Sequence, residues 1–220
     1  MIALDSRLSL CASYARKGKR LADIGTDHAY LPARLCLDGI CAGAIAADIN
    51  PEPLSRGQKT IADCGLENMI QIRLSDGLKE IRPDEADDIV IAGMGGELIA
   101  EIIGGWEYSR DKSKRFILQP MTKSELLIEW LCANGYEILS QDCCVAANKC
   151  YTVLLVQYTG EQREYGELFP YLGKLDPKKN DTHLRFTESH INRLLKKANG
   201  DARFAVLANK LREAVYGDRK

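Results

Sequence analysis

The chain has no apolar run long enough to span a bilayer and no leader with an apolar core and small-residue cleavage site, so neither a membrane span nor export is expected. It has no CxxC pair. Its eight cysteines include the adjacent Cys143-Cys144, which offers no zinc-knuckle spacing, so neither a metal centre nor a disulfide framework is expected. Cys36, Cys41, Cys64 and Cys132 instead lie in or beside apolar helical patterns, where a free thiol behaves as a small hydrophobe. The expected setting is a reducing cytoplasm. Positive charge is not in excess either: 30 Lys and Arg stand against 31 Asp and Glu, so no global field draws the protein to nucleic acid. Internal repeats and low-complexity segments are absent as well.

What is present is an ordinary soluble composition in 220 residues, enough for one domain with an appendage. The charge is unevenly spread. From 161 to 220 there are thirteen basic and nine acidic residues, a net of +4, which leaves −5 for residues 1–160. After a helix over 4–18, short apolar runs at 21–24, 42–49, 69–74, 89–92 and 116–118 read as strands separated by helical patterns. Runs at 136–145 and 150–158 follow, joined by a turn at 146–149. Alternation of this kind implies an α/β fold, a doubly wound parallel sheet of seven strands whose closing pair forms an antiparallel edge. The boundary is expected near Gly160. Beyond it, 188–198 and 202–216 are amphipathic and predict an antiparallel helical hairpin.

The chemistry concentrates at strand ends. Residues 21–32 read LADIGTDHAYLP, a strand, a turn at Gly25 and a helix start for which Asp27 could serve as a plain N-cap. Asp23 with Asp27, Asp48 and Asp76 end the first three strands, at the edge where such sheets bind ligands. Asp48 suits the two hydroxyls of a ribose, and Asp76 an adenine amino group. A dinucleotide would call for G-x-G-x-x-G aimed at a pyrophosphate. The first loop here has one glycine and two carboxylates, which repel phosphate but suit a sulfonium and an ammonium. That points to S-adenosylmethionine and a class I methyltransferase. Gly93-Met94-Gly95-Gly96 reads as a loop standing where many nucleobase methyltransferases carry Asn-Pro-Pro-aromatic, so no asparagine grips an exocyclic amine.

The segments DIGTDHAYLP (23–32), AADIN (46–50), LSDG (74–77), IAGMGG (91–96) and FILQP (116–120), followed by a basic helical tail, resemble the bacterial tRNA (adenine-22-N1)-methyltransferase family often called TrmK. The resemblance covers nearly the whole chain. It implies a Rossmann-like body over 1–160, a coiled-coil-like helical domain over 161–220 that binds tRNA, and methylation of N1 of an adenine in the D-loop region. Cofactor contacts are expected from Asp23, Gly25, Asp27, His28, Asp48, Ile49, Asn50, Asp76, Gly77 and Gly93. Attack by a lone pair already present on N1 needs mainly alignment, and a carboxylate would stabilise the cationic product. Asp27 is the first choice for that role and His28 the second. Tyr30 could stack on the base, Met94 and Gly95 could bring backbone to its edge, and Gln119 and Pro120 could line the substrate side. Lys174, Lys178, Lys179, Arg185, Arg193, Lys196 and Lys197 are the expected phosphate grip, with Arg16, Lys17, Lys19 and Arg20 extending it. A monomer is expected. Other readings stay open: a small-molecule methyltransferase whose tail is a lid or dimer interface, an inactive sensor of S-adenosylmethionine, or an NAD-linked oxidoreductase.

Overall fold

Successive residues of a strand face opposite sides of its sheet, so a strand buried on both sides must be apolar throughout. That is how this chain builds its centre. In a computed structural model, which describes residues 2–162 and 164–217, β1 (Arg20–Ile24), β2 (Gly43–Asp48), β3 (Ile70–Leu74), β4 (Asp88–Gly95) and β5 (Arg115–Thr122) run parallel. Ala22, Ile24, Ile45, Ala47, Ile89, Ile91, Phe116 and Leu118 point to one core. Their neighbours Leu21, Ala44, Ala46, Val90 and Ile117 point to the other. The first core is covered by α4 (Gly96–Gly104) and α5 (Ser124–Ala133), the second by α1 (Ser6–Tyr14), α2 (Tyr30–Leu37) and α3 (Pro51–Asp63). Each fully buried Leu or Ile in these layers contributes about 1.5–3 kcal/mol.

The strand order is β3-β2-β1-β4-β5-β7-β6, with β6 (Tyr136–Ala146) and β7 (Lys149–Tyr158) completing seven strands. β7 is antiparallel to both neighbours and sits between β5 and β6. The hairpin turns at Ala147 and Asn148, both with positive φ (46° and 62°), the geometry that matches strand twist in two-residue loops. The order of the strands reverses direction between β1 and β4, and it is there that a crevice opens at the carboxyl edge.

Past the sheet, a short turn of helix α6 (Phe169–Leu172) leads to α7 (Asp181–Lys197) and α8 (Arg203–Tyr216), which pack on each other through Ile191, Leu194, Ala208 and Leu211. The expected helical hairpin is there, but α7 begins seven residues before the expected 188. Its cap is Asn180, whose Oδ1 accepts from the backbone N–H of Thr182 and His183 at 2.9 and 3.2 Å. Polar ties bind this tail to the β6–β7 hairpin. His183 Nδ1 accepts from Asp176 N, which leaves Nε2–H to donate to Asp142 at 2.8 Å, and Arg185 donates to the Asn148 carbonyl at 2.7 Å.

The basic run after α1 is largely engaged within the body. It lies at the amino edge of the sheet, opposite the crevice. Arg16 pairs with the buried Asp88 at 2.7 Å and donates to the Asp87 carbonyl, Lys19 reaches Asp87 at 3.7 Å, and the Arg20 backbone N–H donates to the same carboxylate. Asp87 and Asp88 neutralise positive charge that a linear reading counts as available. All eight cysteines carry free thiols. No helix among the described residues is long and apolar enough to cross a membrane.

Candidate active site

The crevice is shaped by a loop whose geometry depends on two residues with positive φ. Gly25, just past β1, has φ 77°, and its N–H, together with that of Thr26, donates to the Ala47 carbonyl of β2. Ala29 has φ 53°, a conformation that an alanine adopts at some cost, and its N–H donates to Thr26 Oγ1 at 3.2 Å. Helix α2 therefore starts at Tyr30 with Ala29 as its cap. Asp27 is not the N-cap: its carboxylate turns away and takes Arg56 of α3, at 2.5 Å to Nη2 and 3.1 Å to Nε.

Gly25 is small for a second reason. A side-chain carbon there would overlap the terminal methyl of Met94, which the fold brings across from β4. Gly93-Met94-Gly95 is not a loop but the last part of β4, bulged against β5 so that Met94 pairs with Pro120 and Gly95 with Thr122. Gly93, at φ 82°, makes the bulge, and a Cβ on it would meet open space. Its N–H donates at 3.2 Å to Gln119 Oε1, and Gln119 is fully buried. Gly96 opens α4 against the Lys123 carbonyl, where no side chain fits.

Together these elements enclose a cavity of about 380 Å³ bordered by Asp23, Gly25, Thr26, Asp27, His28, Tyr30 and Gly93. Asp23 is only 7 % exposed. Burial, the largest influence, and the nearby Asp48 push its carboxyl up from 3.8 to about 6, against a hydrogen bond with Thr26 that lowers it. Among the described residues no basic side chain pairs with it. At neutral pH this carboxylate is a buried negative charge on the border of the cavity. Asp27, 63 % exposed, stands at the mouth, with His28 Nε2 3.4 Å from its other oxygen. His28 and Tyr30 stack with centroids 4.9 Å apart and planes 8° from parallel, and Tyr30 is exposed.

The other expected cofactor residues sit on the adjoining strand ends. Asp48 ends β2 and accepts from Asn50 N at 2.7 Å, which turns the chain into α3, and the exposed Ile49 lies between them. Asp76 follows β3, exposed and paired with Lys79 at 2.5 Å, on the edge of a smaller cavity of about 170 Å³ beside α4. Gly77 turns there with φ 60° against Ile102. Parallel register sets Asp23 beside Ala46 and Asp48 beside Leu74, so Asp48 and Asp76 each lie one strand over and two residues past the partner of the acid before, on the carboxyl edge. Among the described residues no group of three or more His, Cys, Asp or Glu is placed to hold a metal ion.

One residue of the site carries no signal in the sequence. Arg7 of α1 borders the cavity, donates to Gln119 Oε1 at 3.3 Å and to Met121 Sδ at 3.2 Å, and is oriented by Asp5 at 2.7 Å. It lies 112 residues from Gln119, within an amphipathic helix whose spacing marks only the buried face.

A methyltransferase-domain family model matches residues 4–154. The tRNA (adenine(22)-N(1))-methyltransferase of Bacillus subtilis is 36 % identical over 181 residues, 79 % of this chain and 76 % of that protein. Among solved structures, a Streptococcus pneumoniae protein in complex with S-adenosyl-L-methionine superposes with a TM-score of 0.88 at 29 % identity, covering 97 % of this chain and 100 % of that one. Mycoplasma capricolum TrmK in complex with S-adenosyl-homocysteine gives 0.80 at 26 % identity over 96 % and 97 %. The likeness thus runs beyond the sheet into the C-terminal helices, and with the sequence match over most of both lengths it places this chain in the bacterial tRNA (adenine(22)-N(1))-methyltransferase family.

Proposed function

We infer that the protein transfers the methyl group of S-adenosylmethionine to N1 of adenine 22 in tRNA. The observation that carries this reading is the buried, cation-free Asp23 in a crevice whose loop offers carboxylates rather than a phosphate cradle. The donor set fits the cofactor: acids for a ligand bearing two positive groups, and open space over Gly93 where it must pass the backbone. When bound, S-adenosylmethionine supplies an electrophilic methyl on a sulfonium.

The chain's own residues do the rest. Asp23 holds the positive end of the cofactor, and Asp48 accepts from the ribose hydroxyls. Met94, fixed over Gly25, and the Gln119-pinned bulge at Gly93 hold the wall past which the base approaches. The exposed ring of Tyr30, backed by His28, is a platform for the adenine. Asp27, oriented by Arg56, lies at the mouth, where positive charge develops over N1, C6 and N6 as N1 is alkylated. It stabilises that charge and can take a proton from the exocyclic amine. Residues 161–220 supply the RNA-binding surface, and the adenine leaves its stack to reach the crevice.

Reaction with labelled cofactor and unmodified tRNA, followed by mapping of the modified nucleotide, tests the assignment. Label should appear as 1-methyladenosine at position 22 and vanish when that adenine is replaced. Label elsewhere, or none with intact cofactor binding, overturns it. The ribose role is separable: Asp48→Ala should weaken S-adenosylmethionine about 10- to 100-fold in calorimetry, the loss of one or two charge-assisted hydrogen bonds. An unchanged affinity removes Asp48 from the cofactor site.

A further inference from the structure

A second cavity, of about 390 Å³, lies between the sheet and the tail. Its floor is the end of β5 (Pro120, Met121, Thr122) and its walls are the β6–β7 turn and α7. Lys149, Arg185 and Arg193 border it, and among the described residues no carboxylate does. Arg185 is anchored by the Asn148 carbonyl. Arg193 donates to His190 at 2.8 Å, with Glu125 3.7 Å behind it. Burial, reinforced by Arg193 and Lys197, pushes His190 down to about 3, so the ring is neutral and adds no charge of its own.

This cleft is not remote from the crevice. Arg7 borders the crevice, contacts Met121 at 3.2 Å and lies 5.6 Å from the centre of the Tyr151 ring, and Met121 and Tyr151 both border the cleft. The Arg7 guanidinium thus bridges the two spaces.

We propose that this cleft holds the sugar-phosphate backbone of the tRNA strand flanking the target adenosine, with Arg185, Lys149 and Arg193 on its phosphates and Arg7 at the junction where the base enters the crevice. The proposal rests on the tRNA-methylating reading above. Its support is the sign and the place of the charge: three cations and no acid on the described lining, with only Arg193 backed by a carboxylate, in a space the size of a nucleotide. The groove ties the tail to the catalytic body as one binding surface, so that the tail orients RNA and does not merely attract it.

The test compares the full-length protein with its Lys149→Ala/Arg185→Ala double variant, using unmodified tRNA. The double variant should raise the tRNA KM and Kd about tenfold or more, and lower the log–log salt slope of binding by about two, one for each lost phosphate contact. Its S-adenosylmethionine affinity should equal the parent's, which also reports that it is folded. Lys112→Glu, an equal change of two charges at the amino edge of the sheet, should leave tRNA binding as in the parent. If the parent methylates tRNA and the double variant binds it with unchanged Kd and slope, the cleft is not the path. If Lys112→Glu weakens binding as much as the double variant does, the effect is one of net charge and the cleft is again rejected. If the parent methylates no tRNA, the functional reading itself fails, and the cleft assignment with it.

Discussion

Asp23→Asn should leave a more stable protein that no longer holds its cofactor. Burial holds this carboxyl at about 6 rather than 3.8, so keeping it ionised costs the folded state about 3 kcal/mol at neutral pH. The sign follows from proton binding. Between the two values the folded chain binds the proton more tightly than the unfolded chain, so stability from this group is complete below 3.8 and is lost as pH rises through 6. Asparagine keeps the shape and the Thr26 contact without the charge. Thermal unfolding without cofactor should therefore show the variant gaining about 1–3 kcal/mol over the parent at pH 7.5, with the gain shrinking toward pH 4. Calorimetry should show S-adenosylmethionine bound about a hundredfold more weakly, because a charged acceptor has become a neutral amide. A variant that binds the cofactor normally would remove Asp23 from the site, whatever its stability.

Asp27→Ala is expected to act on the other axis. Its carboxylate is exposed and already balanced by Arg56, which in turn pairs with Glu52 at 2.7 Å, so little stability depends on it. Turnover should fall about 10²- to 10³-fold, within the range for a group that stabilises developing charge. Cofactor affinity should stay within about threefold. Equal losses in kcat and in kcat/KM for tRNA would mark an interaction made in the transition state. Normal turnover would discard Asp27 and leave His28, 3.4 Å away, as the next residue to change.

The alternation of apolar runs and helical patterns carries the sheet, because strands buried on both faces must be apolar at every position. The acids at 23, 48 and 76 can be read because parallel strands place their ends side by side. The failures are equally physical. Helix α2 begins at Tyr30 and not near Asp27, because Gly25 and Ala29 both turn the loop through positive φ, and nothing in an alanine announces that. Three glycines in four positions look like a loop, yet β4 runs through them, since a bulge accommodates what regular pairing does not. Arg16, Lys19 and Arg20 look like surface charge until Asp87 and Asp88, about 70 residues away, come to meet them. The cleft under α7 gathers residues from 120 to 193, and the bridging position of Arg7 depends on contacts across more than 100 residues; no local pattern encodes either.

The position of β7 has a consequence for the order in which the protein can be made. It is the last strand in the chain but an interior strand of the sheet, and Phe116 pairs with Val156, 40 residues later in sequence. While the ribosome is still adding residues 120–150, β5 presents an unpaired apolar edge and β6 has nothing to join. The anchors that receive the tail, Gln141, Asp142 and the Asn148 carbonyl, take their places only when the hairpin closes. The catalytic body and the docking site of its helical tail are therefore completed together, late in synthesis, and nascent chains that end before Tyr158 are the ones with an open sheet edge for chaperones to shield.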